Sequence, residues 1–191
     1  MNGIERCIDD EIPFEIPENW AWGRFYTVCI NIVDCPHSTP KYLPHPTDYW
    51  AIDTNCIDEN GVIIKKRYLG ATDYQIRTKQ LIPQGNDLVL SREGTIGLIT
   101  ILPSAENICL GQRVMLLRPP PELNCKYLQF LLMSKNFLKQ FMTKAKGMGV
   151  LHINVGDIKN GLVPIPPLNE QKRIVAEIEK IFKIQTAMRS K

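Results

Sequence analysis

The chain has 191 residues, 44% of them apolar and 23% charged, and a formal net charge of +3. That is enough apolar side chain for one ordinary domain plus an appendage, and too much for a disordered chain. No apolar run approaches the ~18 residues of a membrane span, and the sequence opens polar and acidic, so neither a transmembrane segment nor a secretory leader is expected and the expected location is cytoplasmic.

Residues 1–16 read as a lead-in linker. Up to Trp20 the chain holds Glu5, Asp9, Asp10, Glu11, Glu15 and Glu18 against Arg6 alone, so the remainder carries +8. Trp22 to Ile32 mixes aromatic and β-branched residues and predicts a first strand. A polar loop follows, Asp34-Cys35-Pro36-His37-Ser38-Thr39-Pro40-Lys41-Tyr42. Tyr49 to Asp53 predicts a second strand, Asn60-Gly61 a turn, and Thr72 a cap for a short helix over Asp73 to Lys79. Leu88-Val89-Leu90 reads as a strand. Ser91-Arg92-Glu93-Gly94-Thr95-Ile96-Gly97 reads as a tight reversal exposing Arg92 and Thr95 before a strand from Leu98 to Leu102. Gln112 to Leu117 gives another strand, ending at Pro119-Pro120-Pro121.

The period then becomes helical. Tyr127, Leu128, Leu131 and Leu132 predict one helix and Phe137, Leu138, Phe141 and Met142 a second, with Ser134 as the cap between them and Gly147-Met148-Gly149 as the stop. Between Glu122 and Asp157 there is no acid, while Lys126, Lys135, Lys139, Lys144 and Lys146 all occur. Such a run is either a solvated helix face or an electrostatic footprint for a polyanion. Leu151, Ile153, Val155 and Ile158 lead to a hinge, Pro164-Ile165-Pro166-Pro167, whose prolines fix an extended backbone. Beyond it, with Asn169 as the expected cap, an amphipathic helix over 168–191 sets Ile174, Ile178, Ile181, Phe182 and Met188 on an apolar stripe. That stripe needs cover, either from its own domain or from a partner helix.

Catalytic signatures are scarce. The sequence lacks a phosphate-binding loop, a dinucleotide fingerprint, a zinc-protease helix and a nucleophile elbow, so no cofactor is expected. The six cysteines (Cys7, Cys29, Cys35, Cys56, Cys109 and Cys125) contain no Cys-x-x-Cys pair; they read as reduced thiols, and no metal site is expected. His37, His45 and His152 have no evident nucleophile beside them. What remains is a binding inventory: Lys and Arg in predicted loops, interleaved with Tyr, Ser, Thr and Asn, a mix that suits phosphate neutralisation and base-edge contacts on double-stranded DNA.

Four segments resemble the specificity subunits of type I restriction-modification systems. They are Ile16-Pro17-Glu18-Asn19-Trp20-Ala21-Trp22; Asn86-Asp87-Leu88-Val89-Leu90-Ser91-Arg92-Glu93-Gly94-Thr95-Ile96-Gly97; Gly111-Gln112-Arg113-Val114; and Ile165-Pro166-Pro167-Leu168-Asn169-Glu170-Gln171-Lys172-Arg173-Ile174. The resemblance implies an α+β (mixed α/β) target recognition domain at 17–165 and a long coiled-coil-forming spacer helix at 168–191, without catalysis of its own. It also implies a set of partners: double-stranded DNA, methyltransferase (modification) subunits, a restriction subunit, and a second copy paired through the helix.

On that reading Thr39, Lys41, Arg92, Thr95, Lys146 and His152 face the DNA, and Lys65, Lys66, Arg67, Arg77 and Lys79 contact phosphates. Two departures stand out. A full subunit has two recognition domains and two spacer helices where this sequence has one of each, which leaves open a half-subunit, a truncated or rearranged gene, or an excised domain. Asn86-Asp87 also stands where relatives commonly have Gly-Asp. Two readings of other classes stay open: a stand-alone DNA methyltransferase or nuclease, and a protein–protein adaptor.

Overall fold

The computed structural model describes residues 7–142 and 152–189. Among them nine strands form three sheets. The central one has four antiparallel strands in the order β2 (Asn31–Asp34), β8 (Val114–Arg118), β5 (Leu88–Ser91), β6 (Ile99–Ile101). Its inner strands are apolar on both faces because both faces are covered. Leu88, Leu90, Met115 and Leu117 point to one core, shared with Leu128 and Leu132 of α3 (Cys125–Met133) and Phe137 and Phe141 of α4 (Lys135–Met142). Val89, Val114 and Leu116 point to the other, shared with Trp50, Ile52, Ile108 and Leu110. Those last four belong to a three-stranded sheet in the order β4 (Arg67–Tyr68), β3 (Tyr49–Ile52), β7 (Asn107–Leu110), in which β3 and β7 run parallel. The period-two alternation of β5 and β8 thus builds three layers, helices over sheet over sheet.

Several local expectations change. The span read as one strand from Trp22 to Ile32 is β1 (Ala21–Arg24), a helical turn α1 (Phe25–Val28) and then β2. The break follows from pairing, since β1 joins β9 (Leu162–Ile165) while β2 joins the central sheet, and the turn between them is closed by Thr27 Oγ1 donating to Arg24 O at 2.7 Å. Strand β7 and helix α5 (Val155–Asn160) were not expected at all. Helix α2 spans Ala71–Arg77 with Gly70 rather than Thr72 at its cap. Ser134 does cap α4, accepting from the Phe137 N–H at 3.2 Å.

The first half of the proline hinge, Pro164 and Ile165, belongs to strand β9. Pro164 pairs opposite Trp22 in the two-stranded β1–β9 sheet, whose outer edges tolerate a missing donor. The terminal helix α6 (Leu168–Arg189) starts two residues earlier than a cap at Asn169 would allow, because the Pro167 carbonyl accepts from Glu170 N at 2.9 Å and Gln171 N at 3.0 Å. Its 22 residues span ~33 Å. The expected stop at Gly147-Met148-Gly149 lies outside the described residues. All six cysteines are unpaired, and burial pushes the Cys29 and Cys109 thiols up to about 12. Among the described residues no helix is long and apolar enough to cross a membrane.

Candidate nucleic-acid interface

The reversal after β5 is built around Ser91. Its buried hydroxyl donates to Thr95 O at 2.7 Å and meets Thr54 Oγ1 at 2.9 Å, which folds the turn back on itself. Gly94 (φ 77°) and Gly97 (φ 89°) take left-handed backbone, and a Cβ at Gly97 would lie 2.9 Å from Leu138. The turn leaves Thr95 exposed, as expected. It does not expose Arg92, which is only 7% accessible and turns inward, Nε to Asp34 Oδ1 and Nη2 to Asp34 Oδ2, both at 2.9 Å. A bidentate pair of this kind occupies the donors that a base edge would need. Arg92 is therefore corrected from a reader to an internal residue. His152 bridges Glu93 beside it, and the Arg92 carbonyl accepts from Ile153 N at 2.9 Å.

Arg77 is corrected for the same reason. Only 7% of it is accessible, and its guanidinium donates to four carbonyls: Leu110 and Gly111 at 2.7 Å, Ser38 at 2.9 Å and Pro36 at 3.4 Å. It sits at the end of α2 and ties the polar loop after β2 to the end of β7. The loop's far end is held by Arg67, which pairs with the buried Asp53 and lies 3.4 Å from the ring centre of Tyr42; the Tyr42 hydroxyl donates to Asp53 at 3.2 Å. Burial, with the Asp53 carboxylate behind it, pushes the Tyr42 hydroxyl up.

The lysines behave differently. Lys41, Lys65 and Lys79 are exposed, and so is Thr39. Lys66 pairs with Glu106 at 2.6 Å across the Trp50 ring. Lys146 lies outside the described residues. The structure therefore gathers Thr39, Lys41, Arg67, Arg77 and Arg92 on one loop and its supports, with Thr95 and His152 on the adjoining turn, while Lys65 and Lys66 precede β4. The segment Cys35-Pro36-His37 walls two concavities, one of about 620 Å³ reaching Lys79 and one of about 260 Å³ reaching Arg113. Sequence reasoning missed Asp34 and Asp53. Asp53 closes a predicted strand and Asp34 opens the polar loop, yet nothing local shows which arginine either one meets, 14 and 58 residues further on.

A second joint lies at the root of α6. Gln171, 1% accessible, accepts from the Asn124 N–H at 2.7 Å and donates to the carbonyls of Pro166 at 2.8 Å and Glu122 at 3.3 Å. Ile174 and Val175 pack on the domain's own core, and Phe182 meets Phe130 with ring centres 5.7 Å apart. Ile174 is thereby corrected from partner interface to domain contact. Ile181 and Met188 are exposed, Met188 at 73%.

The profile of the family described as "Type I restriction modification DNA specificity domain" matches residues 49–191. The chain belongs to that family. Among curated relatives, the specificity subunits of the type I restriction enzymes EcoBI and EcoEI of Escherichia coli are 22% and 24% identical to it, over 91% and 93% of this chain but only 37% and 30% of theirs. Among solved structures, the HsdS subunit from Thermoanaerobacter tengcongensis superposes with a TM-score of 0.71 at 21% identity, covering 93% of this chain and 46% of that one. The type I restriction-modification specificity subunit from M. genitalium gives 0.57 at 17%, over 93% and 43%. The mixed α/β fold with a long terminal helix is thus that of the specificity-subunit structures, and the chain spans less than half the length of these relatives. In this specificity-domain chain Asn86 takes left-handed backbone (φ 70°), and Asp87 closes the turn by accepting from Gln84 N at 2.8 Å while Arg118 holds its carboxylate at 2.7 Å on each oxygen. The Asn86-Asp87 departure therefore leaves the turn intact.

Proposed function

We propose that this chain is a non-catalytic reader of double-stranded DNA sequence. In this reading it directs methyltransferase and restriction subunits to their target and pairs through α6 with a second copy of itself. The observation that carries the reading is the membership of a DNA specificity family combined with a polar loop whose backbone is fastened from within while His37, Ser38, Thr39 and Lys41 face solvent. Thr39, Lys41, Thr95, His152 and Lys146 are the candidate groove contacts. Lys65, Lys66 and Lys79 are the candidate phosphate contacts, each expected to weaken binding uniformly across sequences when removed. Arg67 contributes by position, since its guanidinium is shared with Asp53 and Tyr42.

The test is co-expression of the chain with a type I methyltransferase subunit, followed by mapping of methylated sites. A single recurrent motif, lost when the chain is omitted, is expected. Random or absent methylation overturns the reading. Tight binding of S-adenosylmethionine by the chain alone, measured by calorimetry, would favour a stand-alone methyltransferase instead. Association with random duplex DNA that ignores salt would favour an adaptor.

A further inference from the structure

The loop 35–43 is supported by arginines that come from three distant parts of the sequence. Arg92, after β5, holds Asp34 at the loop's start through two hydrogen bonds of 2.9 Å, and the Cys35 N–H donates to the same Asp34 oxygen at 2.9 Å and to Val114 O at 3.2 Å. Arg77, ending α2, holds the middle through the carbonyls of Pro36 and Ser38. Arg67, in β4, holds the end through Tyr42 and Asp53, and Leu43 N donates to Tyr68 O at 2.8 Å. Apart from two longer side-chain contacts, Arg77 Nη1 to Ser38 Oγ at 3.4 Å and His37 Nε2 to Asp34 Oδ2 at 3.5 Å, these contacts reach the loop's two ends or its backbone carbonyls. Between them Pro40 is buried, while His37, Ser38 and Thr39 are exposed, the His37 side chain at 81%.

From this arrangement we infer that Pro36–Lys41 is the base-reading segment of the domain, and that Asp34, Arg77 and Arg92 are positioning residues that fix its backbone without touching DNA. The inference rests on the DNA-reading function proposed above and specifies which loop performs it. A guanidinium, unlike an ammonium, can span two oxygens in a fixed plane. Because the short bonds of the fastening use backbone carbonyls, an exposed tip side chain such as that of Thr39 can change without loosening it.

Two conservative variants separate positioning from contact, namely Arg92→Lys, which keeps the charge and loses the bidentate geometry, and Asp34→Asn, which frees Arg92. The full chain and each variant are used to enrich a randomised duplex library. The preference for the duplex that the wild type enriches most, over random duplex, is then measured as a function of salt, and amide hydrogen exchange of residues 36–41 is followed without DNA. If Asp34 and Arg92 position the loop, both variants lose about tenfold or more of that preference. Arg92→Lys keeps the wild-type salt slope, and the 36–41 amides exchange faster in both. A salt slope lower by about one in Arg92→Lys with preference intact would make Arg92 a phosphate contact and overturn the inference. Undiminished preference in both variants, or unchanged exchange, would also overturn it. A wild type that enriches no motif defeats the DNA-reading function itself, and is told apart from failure of the clamp by the exchange result. His37→Ala and Thr39→Ala complete the set: each shifts the enriched motif at one position and leaves the exchange of the loop unaltered.

Discussion

The loop after β2 and the root of α6 are both joints fastened by a buried polar side chain acting on backbone, but they present opposite surfaces. Arg77 only donates, so it gathers acceptors, here four backbone carbonyls with a longer contact to the Ser38 hydroxyl at 3.4 Å, and the side chains left exposed beside it are His37, Ser38 and Thr39. Gln171 both donates and accepts, so one amide satisfies the Asn124 N–H and two carbonyls, and what lies beyond it is the apolar run Ile181, Ile184 and Met188. One joint orders a polar surface suited to a hydrated polyanion. The other aims an apolar one suited to another helix.

The comparison is broken most severely at Arg77. Arg77→Ala strands the buried carbonyls of Leu110 and Gly111 and should destabilise the domain by about 2–4 kcal/mol, read from denaturant unfolding. An effect as small as that of removing an exposed Lys79 would show that these carbonyls find water instead. Gln171→Leu comes next. It keeps the volume but leaves the Asn124 N–H and the Pro166 carbonyl unpaired, for about 1–3 kcal/mol, and it should raise amide exchange in the first turns of α6 before the rest of the domain responds. If α6 keeps its protection, packing of Ile174 and Val175 alone roots the helix.

Much of this layout is legible in the sequence, and the exceptions have physical causes. Alternation in Leu88–Leu90 and Val114–Leu117, the helical period from Tyr127 to Phe141, and the proline hinge each declare themselves within a few residues. Strand β7 does not, because Asn107–Leu110 gains its meaning from a parallel partner, β3, more than fifty residues away. The break at α1 is equally non-local, being set by β1 and β2 joining different sheets. At the candidate interface two expected exposures differ, those of Arg77 and Arg92. Arg77 and Arg92 look like loop bases in sequence, yet they are internal because Asp34 and the ends of β7 and the loop wait for them. Lysines, whose single charge on a flexible stem prefers water, stayed outside as expected.

On the helix side, Ile178→Asp with Ile181→Asp tests the apolar surface. The double variant should abolish self-association in sedimentation while the domain stays folded, since Ile181 is a surface position worth only about 0.5 kcal/mol; Ile178, the more buried of the two, accounts for most of any fall in the unfolding midpoint. A wild type that is already monomeric, with α6 fully protected from exchange, would mean that the helix serves its own domain through contacts such as Phe130 with Phe182.

The smallest expected effect sharpens the contrast between engaged and free bases. Lys66 donates to Glu106 at 2.6 Å, and this hydrogen bond, followed by that from Trp50 Nε1 at 2.7 Å, holds the Glu106 carboxyl below its ordinary value of 4.5. A carboxylate lowered on folding stabilises the folded state above its unfolded value, and the contribution is lost as pH falls through the lowered folded value. Both partners are partly solvated, so the contribution stays below ~1 kcal/mol. Lys66→Met should therefore be slightly less stable than the wild type near neutral pH, with the difference closing as the pH falls through the lowered folded value of Glu106. The same variant bears on DNA. With its ammonium committed to Glu106, Lys66 should contribute less to the salt slope of duplex binding than the exposed Lys65 does. Equal slopes for Lys65→Met and Lys66→Met would show that a phosphate readily displaces Glu106, and that a base engaged at the surface is as available as a free one.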